Sequence, residues 1–276
     1  MSEHYLHASP LGRRSAYIDN YDNSLLFPIA RQTKREGIGI GLSLPFTGYD
    51  IWTAFELSWL NQKGKPVVAV ADIIMPCESV NLIESKSLKL YLNSFNNTIF
   101  DSAETVQETI ASDLSKAAGS VVQVVLYKAE GFIEAPIGQL EGLCLDELDI
   151  SCSEYKVNPR LLNVSTEKVE NVVLYSHLLK SNCLMTGQPD WGSIAITYSG
   201  PRISNESLLR YLVSFRNHNE FHEQCVERIF MDLMAYCQPD ELTVYARYTR
   251  RGGLDINPIR STKPVAPPAN IRLYRQ

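Results

Sequence analysis

A cysteine, an aspartate and a histidine–glutamate pair stand out in the C-terminal half of this chain. Cys183 and Asp190 are separated by LMTGQP, and Trp191 follows the aspartate. A thiolate is a strong nucleophile when a neighbour lowers its pKa or takes its proton. The stretch GQPDWG reads as a hairpin turn, which lets Asp190 face Cys183 across it, and Lys180 is near in sequence. The competing reading is a buried small hydrophobe, a common fate of cysteine. In HNEFHE, residues 218–223, Glu223 beside His222 offers a carboxylate that accepts a pair of N–H groups from an amide-like or guanidine-like edge. The same residues also read as a solvated helix start, with Glu223 meeting the positive end of the helix dipole. His218 and His222 are four apart, but no third metal ligand accompanies them.

Two further stretches suit an anion. Ser85-Lys86-Ser87, within Glu84–Ser87, stands at an expected helix start, where hydroxyls, backbone N–H groups and an ammonium suit phosphate. RYTRRGG, residues 247–253, follows a strand with three arginines and two glycines, a forked donor set with room for close backbone approach. Its plainer reading is an exposed basic turn. Neither GxGxxG nor GxxxxGK[ST] occurs, so no dinucleotide or P-loop fingerprint supports the pair.

The elements that must hold these residues occur twice. Ser87, Leu88, Tyr91, Leu92, Ser94, Phe95 and Asn97 each recur 120 positions later, at Ser207, Leu208, Tyr211, Leu212, Ser214, Phe215 and Asn217. Near the same offset, TVQETIASDL matches CVERIFMDLM within one residue of slip, and VVQVVLY matches ELTVYAR. An offset kept over two helices and a strand reads as tandem duplication. Each half then reads strand, strand, helix, helix, strand, strand: an α+β layer with an antiparallel sheet and two helices on one face. The first hairpin is DIWTAFELSWL and KPVVAVADII around NQKG; the second joins a segment near Val172–Met185 to SIAITYS. Asp101, with Glu104 three residues on, has capping-box spacing, and Val106, Ile110 and Leu114 form an apolar stripe. Phe221, Cys225, Ile229 and Leu233 form its counterpart before Pro239. The expected modules are 1–155, carrying ESKS, and 165–276, carrying Cys183, Asp190, His222 and Glu223, with a linker near Tyr155–Glu170. The first forty residues and the tail KPVAPPANIRLYRQ read as extensions. Where the halves differ, ESKS in one and Cys183 with HNEFHE in the other, two half-sites that complete each other are expected.

With 276 residues, 45% hydrophobic and 21% charged, the chain can bury a substantial core. A net charge of -5 is a poor match for a phosphate backbone, so stable nucleic-acid binding is not expected. The start has no apolar signal-peptide region, and no apolar run approaches the roughly 20 residues of a membrane helix. The six cysteines, Cys77, Cys144, Cys152, Cys183, Cys225 and Cys237, form no CxxC pair and read as reduced cytoplasmic thiols, most of them for packing.

ESKSLKLYLNSFNN, SNCLMTGQPDWGS, FRNHNEFHEQCVERIF and YTRRGGLDINP together resemble the signature segments of QueF, the NADPH-dependent 7-cyano-7-deazaguanine reductases of queuosine biosynthesis, in their long two-module form. The resemblance covers nearly the whole chain. It implies two tandem tunnelling-fold (T-fold) units, which agrees with the repeat, and a homodimer. It implies that Cys183 attacks the nitrile carbon to form a thioimide, that Asp190 is the general acid/base, and that hydrides from two NADPH yield 7-aminomethyl-7-deazaguanine. It places Glu223, His222, Glu84 and Ser85 on the base, gives Lys86, Ser87, Arg251 and Gly252 to NADPH, and implies no metal. Three other readings compete: a T-fold purine or pterin cyclohydrolase-like enzyme, which would carry zinc; a cysteine hydrolase of a nitrile or amide, which would release ammonia; and a non-enzymatic tRNA-handling module.

Overall fold

The computed structural model describes residues 17–128 and 137–276. The chain is a mixed α+β protein in two compact units. The first takes in 17–42, 50–128 and Arg250–Asp255; the second takes in Ser43–Tyr49, Ile137–Thr249 and Ile256–Gln276.

The first unit opens with strand β1 (Pro28–Ala30) and the short helix α1 (Gln32–Glu36). Strands β2 (Thr47–Leu60) and β3 (Pro66–Pro76) follow, then β4 (Asn81–Ile83), helices α2 (Ser85–Asn93) and α3 (Ala103–Ala118), and β5 (Gln123–Lys128). Strands run β5-β3-β2, with β3 and β5 antiparallel and Asp72 opposite Val125. The NQKG turn forms as its residues dictate. The Asn61 side chain accepts from Lys63 N and Lys65 N, and Gly64 takes φ +70°. Helix α3 starts one residue later than Asp101: the side chain of Ser102 caps it, accepting from Thr105 N. A short hydroxyl in extended backbone reaches the first turn as well as a carboxylate does. Val106, Ile110 and Leu114 are fully buried, as their spacing requires. Burial of each contributes about 2 kcal/mol. The helix ends at Gly119, whose φ of +67° is the left-handed close that glycine adopts without strain. A further strand expected after β5 would begin in 129–136, outside the described residues.

The second unit holds β6 (Ile137–Gly138), β7 (Leu143–Cys144), β8 (Val164–Asn182), β9 (Pro189–Ile203), helices α4 (Asn205–Ser214) and α5 (His222–Cys237), β10 (Glu241–Tyr248), β11 (Leu254–Ser261) and β12 (Arg272–Leu273). Its strands run β11-β10-β9-β8-β7, antiparallel except β7 on β8. Helix α5 packs on β10 and β9 with Cys225, Ile229 and Leu233 fully buried. Two sequence expectations change here. Half of the stretch read as linker is strand, because β8 already begins at Val164. The terminal segments are built in rather than appended. The Tyr21 hydroxyl donates to Asp113 and β1 pairs with β4; in the tail, β12 pairs with β6 and Gln276 donates to Tyr248 O and to Asn257. Residues 1–16 lie outside the described part.

The repeat read from sequence reappears as repeated hydrogen bonds. Ser87 Oγ donates to Glu84 O and accepts from Phe27 N; Ser207 Oγ donates to Ser204 O and accepts from Asn163 N. Ser94 and Ser214 donate to Tyr91 O and Tyr211 O, and accept from Asp22 N and Asn158 N. The Tyr91 hydroxyl donates to Asp113 at 2.8 Å, and that of Tyr211 to Asp232 at 2.7 Å. At these positions each serine hydroxyl serves two partners and each tyrosine hydroxyl one, inside a core that would otherwise strand a polar group.

Candidate active site

In the second unit, strand β8 ends at Asn182, and Cys183 begins the loop to β9. The loop closes on itself: Cys183 N donates to Gln188 O and Gly187 N to Cys183 O, with Gly187 at φ +66°. Across the hairpin, Ser181 pairs with Asp190. Cross-strand partners share a face and alternate residues return to it, so Ser181, Cys183 and Asp190 point the same way. Burial agrees, with Cys183 4% and Asp190 5% exposed. The hairpin reading of GQPDWG therefore puts the Cys183 thiol and the Asp190 carboxylate on one face.

That face lies under the start of α5. Asn182 N donates to His218 O, and Glu220 N donates back to Asn182 O. Both backbone groups of the residue before Cys183 are thus spent on the segment leading into the helix. Phe221 precedes the 16-residue helix α5 with no side-chain cap, and Glu223 supplies an acidic group in its first turn. The first helical residue, His222, sets its ring edge-on to Tyr248 at 4.2 Å, with Nε2 3.8 Å from Asp190 Oδ1. Glu223 follows, only 2% exposed. A solvated helix start is therefore not what HNEFHE forms.

Further residues complete the surroundings, Tyr248 and Glu220 among them without a role read from sequence. Burial drives the Tyr248 hydroxyl well above its usual range, and the Cys225 thiol and Asp190 add to the rise. Burial pushes the Cys225 thiol up to about 12, which makes it a packing group beneath the site. Burial, then Arg216, hold the Lys180 ammonium below its usual range, and Asp190 pulls the other way. Lys180 donates to Asn182 Oδ1 and Arg216 O at 2.6 Å each. Glu220 takes His218 Nε2 at 2.8 Å and Arg228 Nε at 3.0 Å. Burial raises its pKa, but these two bonds outweigh burial and hold it below the usual value. His218 is thus a strut of the helix entry. Among the described residues no group of three His, Cys, Asp or Glu is placed to hold a metal ion, all six cysteines are free thiols, and no helix is long and apolar enough to cross a membrane.

The first unit holds the anion-suited stretches. Glu84 caps α2, its two carboxylate oxygens accepting from Lys86 N at 2.7 Å and Ser87 N at 2.8 Å. This corrects the expectation that those N–H groups await a phosphate, because a carboxylate already fills the helix start. Ser87 is buried with its hydroxyl engaged, so it offers no atom to a ligand. Ser85 and Lys86 are half-buried at the head of α2. The segment Arg250–Asp255 belongs to the same unit and forms a tight turn: Arg251 N donates to Leu254 O, with Gly252 at φ +65° and Gly253 at φ +77°. Two successive left-handed residues are the signature of a type I′ turn, which Gly-Gly makes at no steric cost. Lys89 Nζ donates to Gly252 O, which sets the turn beside α2. Lys86 and Lys89, one helical turn apart, lie on one side of that helix. Lys86, Arg251 and the glycine turn, expected to act together, share one compact unit.

A family model described as "Nitrile reductase, 7-cyano-7-deazaguanine-reductase N-term" matches residues 17–126, and a second, "QueF-like protein", matches 189–266. Among curated proteins, a "NADPH-dependent 7-cyano-7-deazaguanine reductase" of Polaromonas sp. (strain JS666 / ATCC BAA-500) is 60% identical over 269 residues, covering 97% of this chain and 98% of the relative. Proteins of the same name from Paracidovorax citrulli and Chromobacterium violaceum are 60% and 56% identical, each over 97% of this chain and 98% and 96% of their own lengths.

Proposed function

The chain belongs to the QueF family of nitrile reductases, and we propose that it reduces the nitrile of 7-cyano-7-deazaguanine to the primary amine with NADPH, in queuosine biosynthesis. Cys183 is the nucleophile. Its thiolate adds to the nitrile carbon, forming a C–S bond while a π pair moves to nitrogen. Asp190, on the same face of the hairpin, delivers the proton to that nitrogen and leaves a thioimide. The adduct is taken to the primary amine, with release of the thiolate, by two hydrides, one from each of two NADPH. His222 and Glu223 hold the base, the buried carboxylate accepting from adjacent N–H groups of its guanine-like edge. Ser85 contacts the base from the head of α2, and Glu84 acts by holding that head in shape.

The donor set around the glycine turn fits a phosphorylated cofactor. Lys86 and Arg251 supply the cations, and Gly252 the close backbone approach. Ser87 contributes from within by fixing the first turn of α2. The fold we assign is a pair of tandem T-fold units with two helices on one face of each sheet, the chain working as a cytoplasmic homodimer without stable nucleic-acid partners. One observation carries the chemistry: Cys183 and Asp190 share a buried face beside an uncapped helix start.

The test is the loss of reduced-nicotinamide absorbance with 7-cyano-7-deazaguanine, run beside Cys183→Ala. Wild-type oxidation of NADPH that depends on the base and is absent in the variant is expected. Oxidation that survives in Cys183→Ala, or none by the wild type, overturns the assignment.

A further inference from the structure

The turn at Gly252-Gly253 is held by residues to which the proposed reaction gives no part. Phe55 N donates to Gly253 O at 2.9 Å, and the Arg250 guanidinium lies 4.4 Å over the Phe55 ring. On the next residue of the strand, Glu56 Oε2 accepts from Lys89 Nζ at 2.7 Å, and Lys89 also donates to Gly252 O. Gly253 sits so close to Glu56 that a Cβ there would lie 2.4 Å from the carboxyl carbon. Glu56, Lys89, Gly252 and Gly253 line a small, partly open recess.

These contacts have a geometric effect. The peptide joining Gly252 and Gly253 is trans and planar, so its C=O and N–H point in opposite directions. A lysine that holds the C=O therefore aims the N–H of Gly253 outward on the far side of the turn. Lys89 alone is a flexible ammonium with several possible partners; the Glu56 carboxylate keeps it on the carbonyl. We propose that Glu56 is a positioning residue, which with Lys89 forms a latch that presets the Gly252-Gly253 turn to receive a phosphate group of NADPH. This rests on the reading that Arg251 and Gly252 bind the cofactor.

A charge-only view makes the opposite prediction. An acidic side chain near a phosphate site repels the ligand, so its removal strengthens binding. The latch predicts that its removal weakens binding. The experiment is the affinity of the full-length chain for NADPH without the base, read by nucleotide fluorescence, in wild type, Glu56→Gln, Lys89→Met, the double variant and Arg251→Ala. Circular dichroism and melting temperature check the fold, and the mass gained by Cys183 from the base alone reports the other chemistry. Glu56→Gln is expected to weaken NADPH binding by about twofold to fivefold, the double variant to be no weaker than Lys89→Met, and the mass gain to persist. Unchanged or tighter binding in Glu56→Gln, with Arg251→Ala weakened, overturns the latch and leaves the cofactor reading standing. Unchanged binding in Arg251→Ala overturns that reading and the latch with it.

Discussion

The roles proposed for Asp190 and Cys183 can be separated by substitution. Asp190→Asn keeps the side chain's shape in its buried place and removes its proton. Turnover should fall by about 10²–10⁴ while the fold melts as before. Intact-mass measurement with the base, set against steady-state rates, checks this; an unimpaired rate would move the proton elsewhere. Asp190 was legible in the sequence because a hairpin turn between it and Cys183 was legible. Tyr248 and Ser181 were not, since they reach the site only through strand pairing, and nothing in their local sequence marks them. Lys89 had a trace of signal, one turn beyond Lys86 in ESKSLK. Glu56 had none, because in a strand it reads as one polar residue among alternating ones.

At the scale of elements, the entry to α5 is the part that sets site geometry, and Glu220 holds it. Its folded pKa lies below the unfolded one, so its stabilisation is full above about pH 4.3 and is lost as pH falls through the folded value. Denaturant melts from neutral to acid pH should show this loss in wild type and not in Glu220→Gln. That variant should be about 2 kcal/mol less stable at neutral pH, because it leaves Arg228 short of its partner. At α3, Ser102→Ala should cost about 1 kcal/mol by thermal melt. Misplacing that cap by one residue shows the limit of pattern reading: Asp101 and Ser102 are both good caps in type, and only the backbone path decides between them.

For the whole molecule, an offset of 120 residues links two matching segments of sequence, and near that offset the Tyr91–Asp113 bond recurs as Tyr211–Asp232. Tyr91→Phe and Tyr211→Phe should each lower stability by about 1–2 kcal/mol in equilibrium unfolding; a cost at only one would show that the two cores have drifted apart in energy. The strands and helices were legible because their apolar periods are local. The terminal segments were not. What makes Tyr21 and Gln276 structural is a partner at long range, Asp113 in one case and Asn257 in the other, and composition carries no trace of that.

Asn182 spends both backbone groups on residues 218–220, and the loop that follows closes through Cys183 N to Gln188 O and Gly187 N to Cys183 O. Cys183 is therefore the first residue of the loop, joined directly to a residue anchored on the frame. Residues Leu184–Thr186 can change in length or size without displacing the sulfur. The position of Cys183 and the shape of the loop beyond it can then vary as separate traits.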